Sequence, residues 1–272
     1  MGAYTLTYIY HDCFLLEPDA ETAVLFDYWK DPLADSTNKD FPPLLERLKS
    51  KKRVYIIVSH HHKDHFSRRI FLWAKELPDV RYIVSEDVFK AVKYMFTEGS
   101  TYAGYRPPRE SLTVLKPGES FNDGCLLVKA YRSTDIGNSY AVETAELKVF
   151  HAGDLNAWLW IDESTPDEVE EARNNFTEII SEIKADYPAF DVAMFPVDSR
   201  IGREYWWGAK YFVNAVDVDL FVPMHFELTE VEGFELRHRL DAGAFELYAR
   251  GSYGSYLFLQ QTRSRYRSGN NK

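Results

Sequence analysis

Cysteine is nearly absent: Cys13 and Cys125 are the only two in 272 residues, and neither belongs to a C-x-x-C pair. Two thiols are too few for a disulfide framework, and a reducing compartment fits best. Long apolar runs are missing as well. Nowhere do eighteen consecutive apolar residues occur, so no membrane-spanning helix is expected. The opening MGAYTLTYIYHDC lacks the basic-then-apolar layout of an export signal, and a cytoplasmic protein is expected. Positive charge is scarce too: 32 Lys and Arg face 42 Asp and Glu, a formal net charge of -10. That balance argues against loose binding to nucleic acid, which a basic surface would drive. The one basic concentration, Arg263, Arg265, Arg267 and Lys272, reads as a solvated, disordered tail. No repeat or linker divides what precedes it, so residues 1–262 are expected to form one domain and 263–272 the tail.

What is present is alternation. YTLTYIY, FLLE and TAVLFDY read as short strands between Tyr4 and Tyr28. Val54 to Val58 is an unbroken apolar run ending at Ser59, a buried strand that delivers its end to a polar loop. Ser67 as N-cap, with Ile70, Trp73, Ala74 and Leu77 at i, i+3, i+4 and i+7, predicts a helix with one apolar face. A strand from Val80 to Ser85 and a helix from Asp87 to Phe96 follow, then a loop with Gly99, Gly104, Pro107 and Pro108 of the kind that covers a site. Strands at 112–115, 125–131, 139–143 and 147–150 form a meander. The capping box Thr165-Pro166-Asp167-Glu168 starts a long helix with Val169, Ala172, Phe176, Ile179, Ile180 and Ile183 on one stripe. Strands at 192–195 and 220–222 bracket a helix near 205–215. The architecture that buries all these faces is an α/β, four-layer αββα sandwich, two sheets face to face with helices outside.

His60, His62, Asp64 and His65 fall within six residues after that buried strand, and half of the chain's 8 histidines sit in this loop. Imidazole and carboxylate at close spacing are the donor set for zinc, iron or manganese. His61 and Lys63 alternate with these residues and are expected to point away.

The His-x-His-x-Asp-His pattern of residues 60–65 resembles that of the metallo-β-lactamase superfamily. His151-Ala152-Gly153-Asp154 is similar to its bridging-aspartate motif, and Pro223-Met224-His225 to its late histidine. YIYHDCFLLE, LFDYW, STDIGNSY and HAGDLN are most similar to the branch near ascorbate-6-phosphate lactonases. The resemblance implies the metallo-β-lactamase fold and one or two divalent transition-metal ions (Zn, Mn or Fe). It assigns His60 and His62 to a first metal, Asp64, His65 and His225 to a second, and Asp154 to the bridge. It also implies a hydrolase in which metal-activated water attacks a small, anionic ester, lactone or phosphoester, with Asp64 orienting the nucleophile.

One family element is absent: no histidine occurs from Phe66 to Phe150. Asp135 stands at the matching place, and three readings are open: it supplies an oxygen ligand, a water fills the gap, or only the second site is occupied. An oxygen ligand would tilt preference from zinc toward manganese or iron. His11, ending the first strand, is a further catalytic candidate, and His151 is a candidate for steadying a ligating side chain. Trp158, Trp160, Trp206 and Trp207 with Arg200 and Arg203 are candidates for an aromatic pocket with an anion clamp, or else ordinary packing and surface residues. His238, between two arginines, reads as surface. The expected partner is a small-molecule substrate, without nucleic acid or membrane, and a homo-oligomer is left open. A nuclease of the same fold and a catalytically silent metal- or ligand-binding protein are the competing functions.

Overall fold

The computed structural model describes residues 4–31, 43–225 and, as backbone, 257–261; His238 and the basic tail lie outside the described residues. The first sheet is built from β1 (Tyr4–Tyr10), β2 (Cys13–Glu17), β3 (Thr22–Phe26), β4 (Arg53–Val58), β5 (Val80–Ser85) and β6 (Leu112–Leu115), with β13 (Leu257–Gln261) on the free side of β1. The second is β7 (Ser120–Asn122), β8 (Leu127–Arg132), β9 (Asn138–Glu143), β10 (Lys148–His151), β11 (Ala189–Pro196) and β12 (Asp217–Met224). Among the described residues these sheets have seven and six strands, in the orders 13-1-2-3-4-5-6 and 12-11-10-9-8-7. Strands β3 to β6 pair in parallel, as do β10 to β12, and the rest pair antiparallel.

Period-two alternation explains the layering. Tyr55 and Ile57 of β4 enter the core between the sheets, while Val54, Ile56 and Val58 face a second core. That second core is closed by Leu44, Leu45 and Leu48 of α1 (Pro43–Lys49), by Val88 of α2 (Glu86–Val92), and by Ile70, Phe71 and Trp73. On the far side, Phe176, Ile179, Ile180 and Ile183 of α3 (Pro166–Asp186) and Phe212 of α4 (Trp207–Ala215) cover β10 and β11. Helices outside two packed sheets make the αββα sandwich expected from the sequence. The capping box of α3 forms as expected, Thr165 accepting from the Glu168 N–H while Glu168 accepts from Thr165.

Two helices differ from expectation. Residues Arg68–Lys75 form a 3₁₀ helix, capped by Ser67, instead of an α-helix. Its tighter winding keeps Ile70 and Trp73 together at i and i+3, brings Phe71 inward as well, and leaves Ala74 only half-buried. The helix expected from Asp87 to Phe96 is α-helical only to Val92 and continues as 3₁₀ over Lys93–Phe96. No helix among the described residues is long and apolar enough to cross a membrane. Cys13 is buried and Cys125 exposed, both as free thiols.

Candidate metal centre

In both sheets the C-terminal ends of the parallel strands deliver the site, where open α/β sheets generally bind ligands. β4 leads into Ser59 to His65, β10 into Gly153 and Asp154, β11 into Asp198, and β12 into His225. β1 and β3 add His11, Asp12 and Asp27. Among the described residues, five non-glycines have positive φ, and four belong to this edge: His11 (57°), Asp27 (42°), Trp158 (48°) and His225 (65°). Strained backbone of this kind persists where surrounding structure over-determines it, commonly at functional sites.

Asp154 is the hub. It is 5% exposed, with Oδ2 3.2 Å from His60 Nε2 and Oδ1 3.1 Å from His65 Nε2 and 3.3 Å from His225 Nε2. The atoms converge without hydrogen-bond alignment: His60 Nε2, His65 Nε2, His11 Nε2, Asp154 Oδ1 and both oxygens of Asp12 are buried and unsatisfied. Orphaned donor atoms of six kinds of position pointing at one another carry a heavy desolvation cost unless a cation sits among them. Their ligand atoms fall into overlapping groups, each within 4.8 Å: His11, Asp12, His65 and His225; His60, His65 and Asp154; His62, Asp135 and Asp154.

Behind the imidazoles stand carboxylates that fix their orientation. Asp27 accepts from the Ser59 N–H at 2.7 Å and the Ser59 hydroxyl at 2.5 Å, and lies 2.9 Å from His65 Nδ1. The same hydroxyl lies 3.0 Å from His60 Nδ1, so one buried carboxylate aligns two rings. Asp198 lies 3.0 Å from His225 Nδ1 and is gripped by the Arg200 guanidinium. His151 works through the backbone. Its Nε2 is 2.9 Å from the Asp12 carbonyl, its Nδ1 accepts from the Gly153 N–H at 3.2 Å, and its ring stacks on Phe26 at 4.9 Å. It thereby ties the Asp12 turn to the Asp154 turn.

The remaining candidates divide. Asp64 is 45% exposed and 3.5 Å from His11 Nε2, at the rim and outside the converging groups. Asp135 is exposed, with its carboxylate in reach of His62 and Asp154. Trp158 lines the centre, its indole N–H donating to the Asp154 carbonyl at 2.8 Å and its ring 5.2 Å from that of His225. Arg200 serves Asp198, Arg203 pairs with Asp162, and Trp206 and Trp207 pack against the core beside α4, so these do not assemble into one anion clamp. Trp160 is exposed. Sequence reasoning missed Asp12, Asp27, Ser59 and Asp198; the available signal was a lone aspartate closing an apolar strand, as in VLFD and FPVD.

The electrostatics follow. Burial pushes the Asp154 carboxyl up, but His65, His225 and His60 outweigh it and hold it well below the usual carboxylate range. Burial pushes the His65 imidazole down, yet Asp12, Asp154 and Asp27 raise it well above its ordinary value. Against the same burial, Asp12, Asp154 and Asp198 raise His225 to about 10. His11 holds the Asp64 carboxyl down. These carboxylates thus favour the charged form of the His65 and His225 imidazoles, and a bound ion would compete with their protons. Calorimetric titration with a divalent metal at pH 7, in buffers of different ionisation enthalpy, is expected to register about two protons released. Affinity should climb as pH rises toward 10. A titration independent of buffer would mean that both rings are already neutral.

Residues 5–167 match the family described as Beta-lactamase superfamily domain. No curated protein sequence gives a significant match. Among solved structures the chain is similar to Igni18, a novel metallo hydrolase from the archaeon Ignicoccus hospitalis, at 15% identity and TM-score 0.60 over 96% of this chain and 100% of that one. It is similar to YhfI, a metallo-β-lactamase fold protein from Bacillus subtilis, at 10% identity and TM-score 0.57 over 96% and 100%. It is also similar to CmlA, a diiron β-hydroxylase from Streptomyces venezuelae, at 13% identity and TM-score 0.54 over 89% of this chain and 48% of that one. At these identities the likeness is one of fold.

Proposed function

The chain belongs to the beta-lactamase superfamily, and we propose that within it this protein is a hydrolase using one or two divalent transition-metal ions against a small anionic ester, lactone or phosphoester. The observation that carries this reading is the set of buried, unsatisfied donor atoms around Asp154. When bound, such ions supply Lewis-acid polarisation and a water acidic enough to act at neutral pH. His62 and Asp135, with His60 at Asp154 Oδ2, would hold one ion, and His65 and His225, with His11 and Asp12 beside them, the other. Asp154 lies between both groups. Asp64, kept ionised at the rim by His11, would orient the nucleophile as a hydrogen-bond acceptor. Trp158, its ring 5.2 Å from that of His225, would wall that side of the centre. The carboxylate of Asp135 in place of an imidazole favours manganese or iron over zinc. The sequence likeness to ascorbate-6-phosphate lactonases makes phosphorylated lactones the first substrates to try.

Protein purified without added metal is expected to carry about one to two transition-metal equivalents and to open anionic lactones or esters. Protein that stays empty on reconstitution would remove the reading. Asp135→Ala should shed about one equivalent and keep the other; an unchanged metal count would return Asp135 to the role of a turn residue.

A further inference from the structure

Three loops that carry candidate ligands meet at Ser59. It stands between β4 and His60 and is fully buried. Its carbonyl accepts the Asn138 N–H at 3.0 Å, from the loop that bears Asp135. On its other side the turn leading to Asp154 is pressed against it, so closely that a Cβ on Gly153 would stand 2.7 Å from the Ser59 Cβ and 3.1 Å from its hydroxyl oxygen.

The hydroxyl is bonded in one direction. It donates to Asp27 Oδ2 at 2.5 Å, so toward His60 Nδ1, at 3.0 Å, it can only accept, and that nitrogen carries the proton. The His60 Nε2 lone pair is thereby left for the centre. The His65 ring reaches the same carboxylate oxygen without an intermediary, its Nδ1 lying 2.9 Å from Asp27 Oδ2, while Asp12 Oδ2 is farther off at 3.4 Å. The other oxygen of Asp27 is occupied by the Ser59 N–H at 2.7 Å. One oxygen thus supports two imidazoles assigned to different ions, His65 directly and His60 through the Ser59 hydroxyl.

We propose that Ser59 is a positioning residue that makes the two ions unequal: the ion at His65 and His225 loads first, and the ion at His60, His62 and Asp135 loads second and more weakly. An ion on Nε2 draws electron density from an imidazole and strengthens its Nδ1–H as a donor, so both rings make larger demands on Asp27 Oδ2 when loaded. The ring that reaches this oxygen directly takes the larger share. His60 has only the relayed share, and its partners His62 and Asp135 are exposed, which leaves their ion less well held. This inference rests on the metal-binding part of the hydrolase reading.

Chelated protein titrated with cobalt(II), followed by its visible absorption, is expected to take up two ions in separate steps. The step that Asp135→Ala removes identifies the weaker one. Ser59→Ala should weaken that step by about tenfold or more and leave the tighter step unchanged or tighter still, because Asp27 Oδ2 then serves His65 alone. Asp27→Asn, which removes the shared charge and keeps the shape, should weaken both steps, and it carries the test by itself if the serine variant does not fold. Equal weakening of both steps by Ser59→Ala, as a purely structural role would give, would overturn the proposal. So would an unchanged weaker step in that variant, loading of the wild type in a single step, or loss of only one step in Asp27→Asn. Wild-type protein that takes up no cobalt(II) would defeat the metal-dependent hydrolase reading itself, and this inference with it.

Discussion

Replacing Asp154 by alanine is expected to empty the metal centre and to lower kcat/KM by about a thousandfold or more. Its two oxygens face different imidazoles, Oδ2 toward His60 and Oδ1 toward His65 and His225, so one truncation removes an anionic donor from both groups. Among the described residues no nearby carboxylate is free to substitute. Asp27 and Asp198 are committed to the Nδ1 sides of the rings, and Asp12 lies with His11, His65 and His225, away from the group of His62 and Asp135. The wall should survive, because Trp158 is held by the backbone carbonyl of residue 154 and not by its side chain. Loss of activity would therefore trace to the carboxylate. Asp154→Asn, which preserves shape and removes charge, should also lose metal. Elemental analysis alongside kcat/KM decides the matter: a variant with full metal content would show that the carboxylate does not join the two groups.

The strongest parts of this site were legible because they are local. Three imidazoles and a carboxylate at fixed spacing after an apolar strand announce themselves within six residues, and the strand's unbroken apolar run marks it as buried on both faces, between two cores. The orienting carboxylates were not, since each is a single aspartate whose partner lies far along the chain: Asp27 is 38 residues from His65, and Asp198 is 27 from His225. Asp12 was hidden for the same reason; only the assembled strand ends bring it to His65 and His225. Arg200 and Arg203 misled in the opposite direction, their proximity in sequence suggesting a shared anion site while Asp198 and Asp162 draw them apart. The 3₁₀ winding of Arg68–Lys75 also escaped, because i and i+3 positions coincide in both helix types.

Gly137→Ala is expected to destabilise the chelated protein by about 3 kcal/mol or more, against about 1 kcal/mol for Gly118→Ala. Both glycines occupy the left-handed region, at φ of 82° and 87°, so the backbone cost of a side chain is shared. What differs is space. A Cβ at Gly118 meets nothing within 4 Å, whereas one at Gly137 would stand 2.3 Å from the Ser59 carbonyl oxygen and 2.5 Å from the His60 Cβ. Neither neighbour can yield cheaply. The Ser59 carbonyl accepts the Asn138 N–H at 3.0 Å, Asp27 grips the same residue through its N–H and hydroxyl, and His60 is fully buried. Relief requires the loop bearing Asp135 to part from the strand end bearing His60, which separates donors that the metal centre needs together. Gly137→Ala should therefore also lower metal content, and Gly118→Ala should not. Denaturant unfolding of both variants after chelation keeps metal binding from masking the difference. Similar midpoints would mean that the contact between these two loops is slack, and that the unsatisfied atoms around Asp154 do not depend on it.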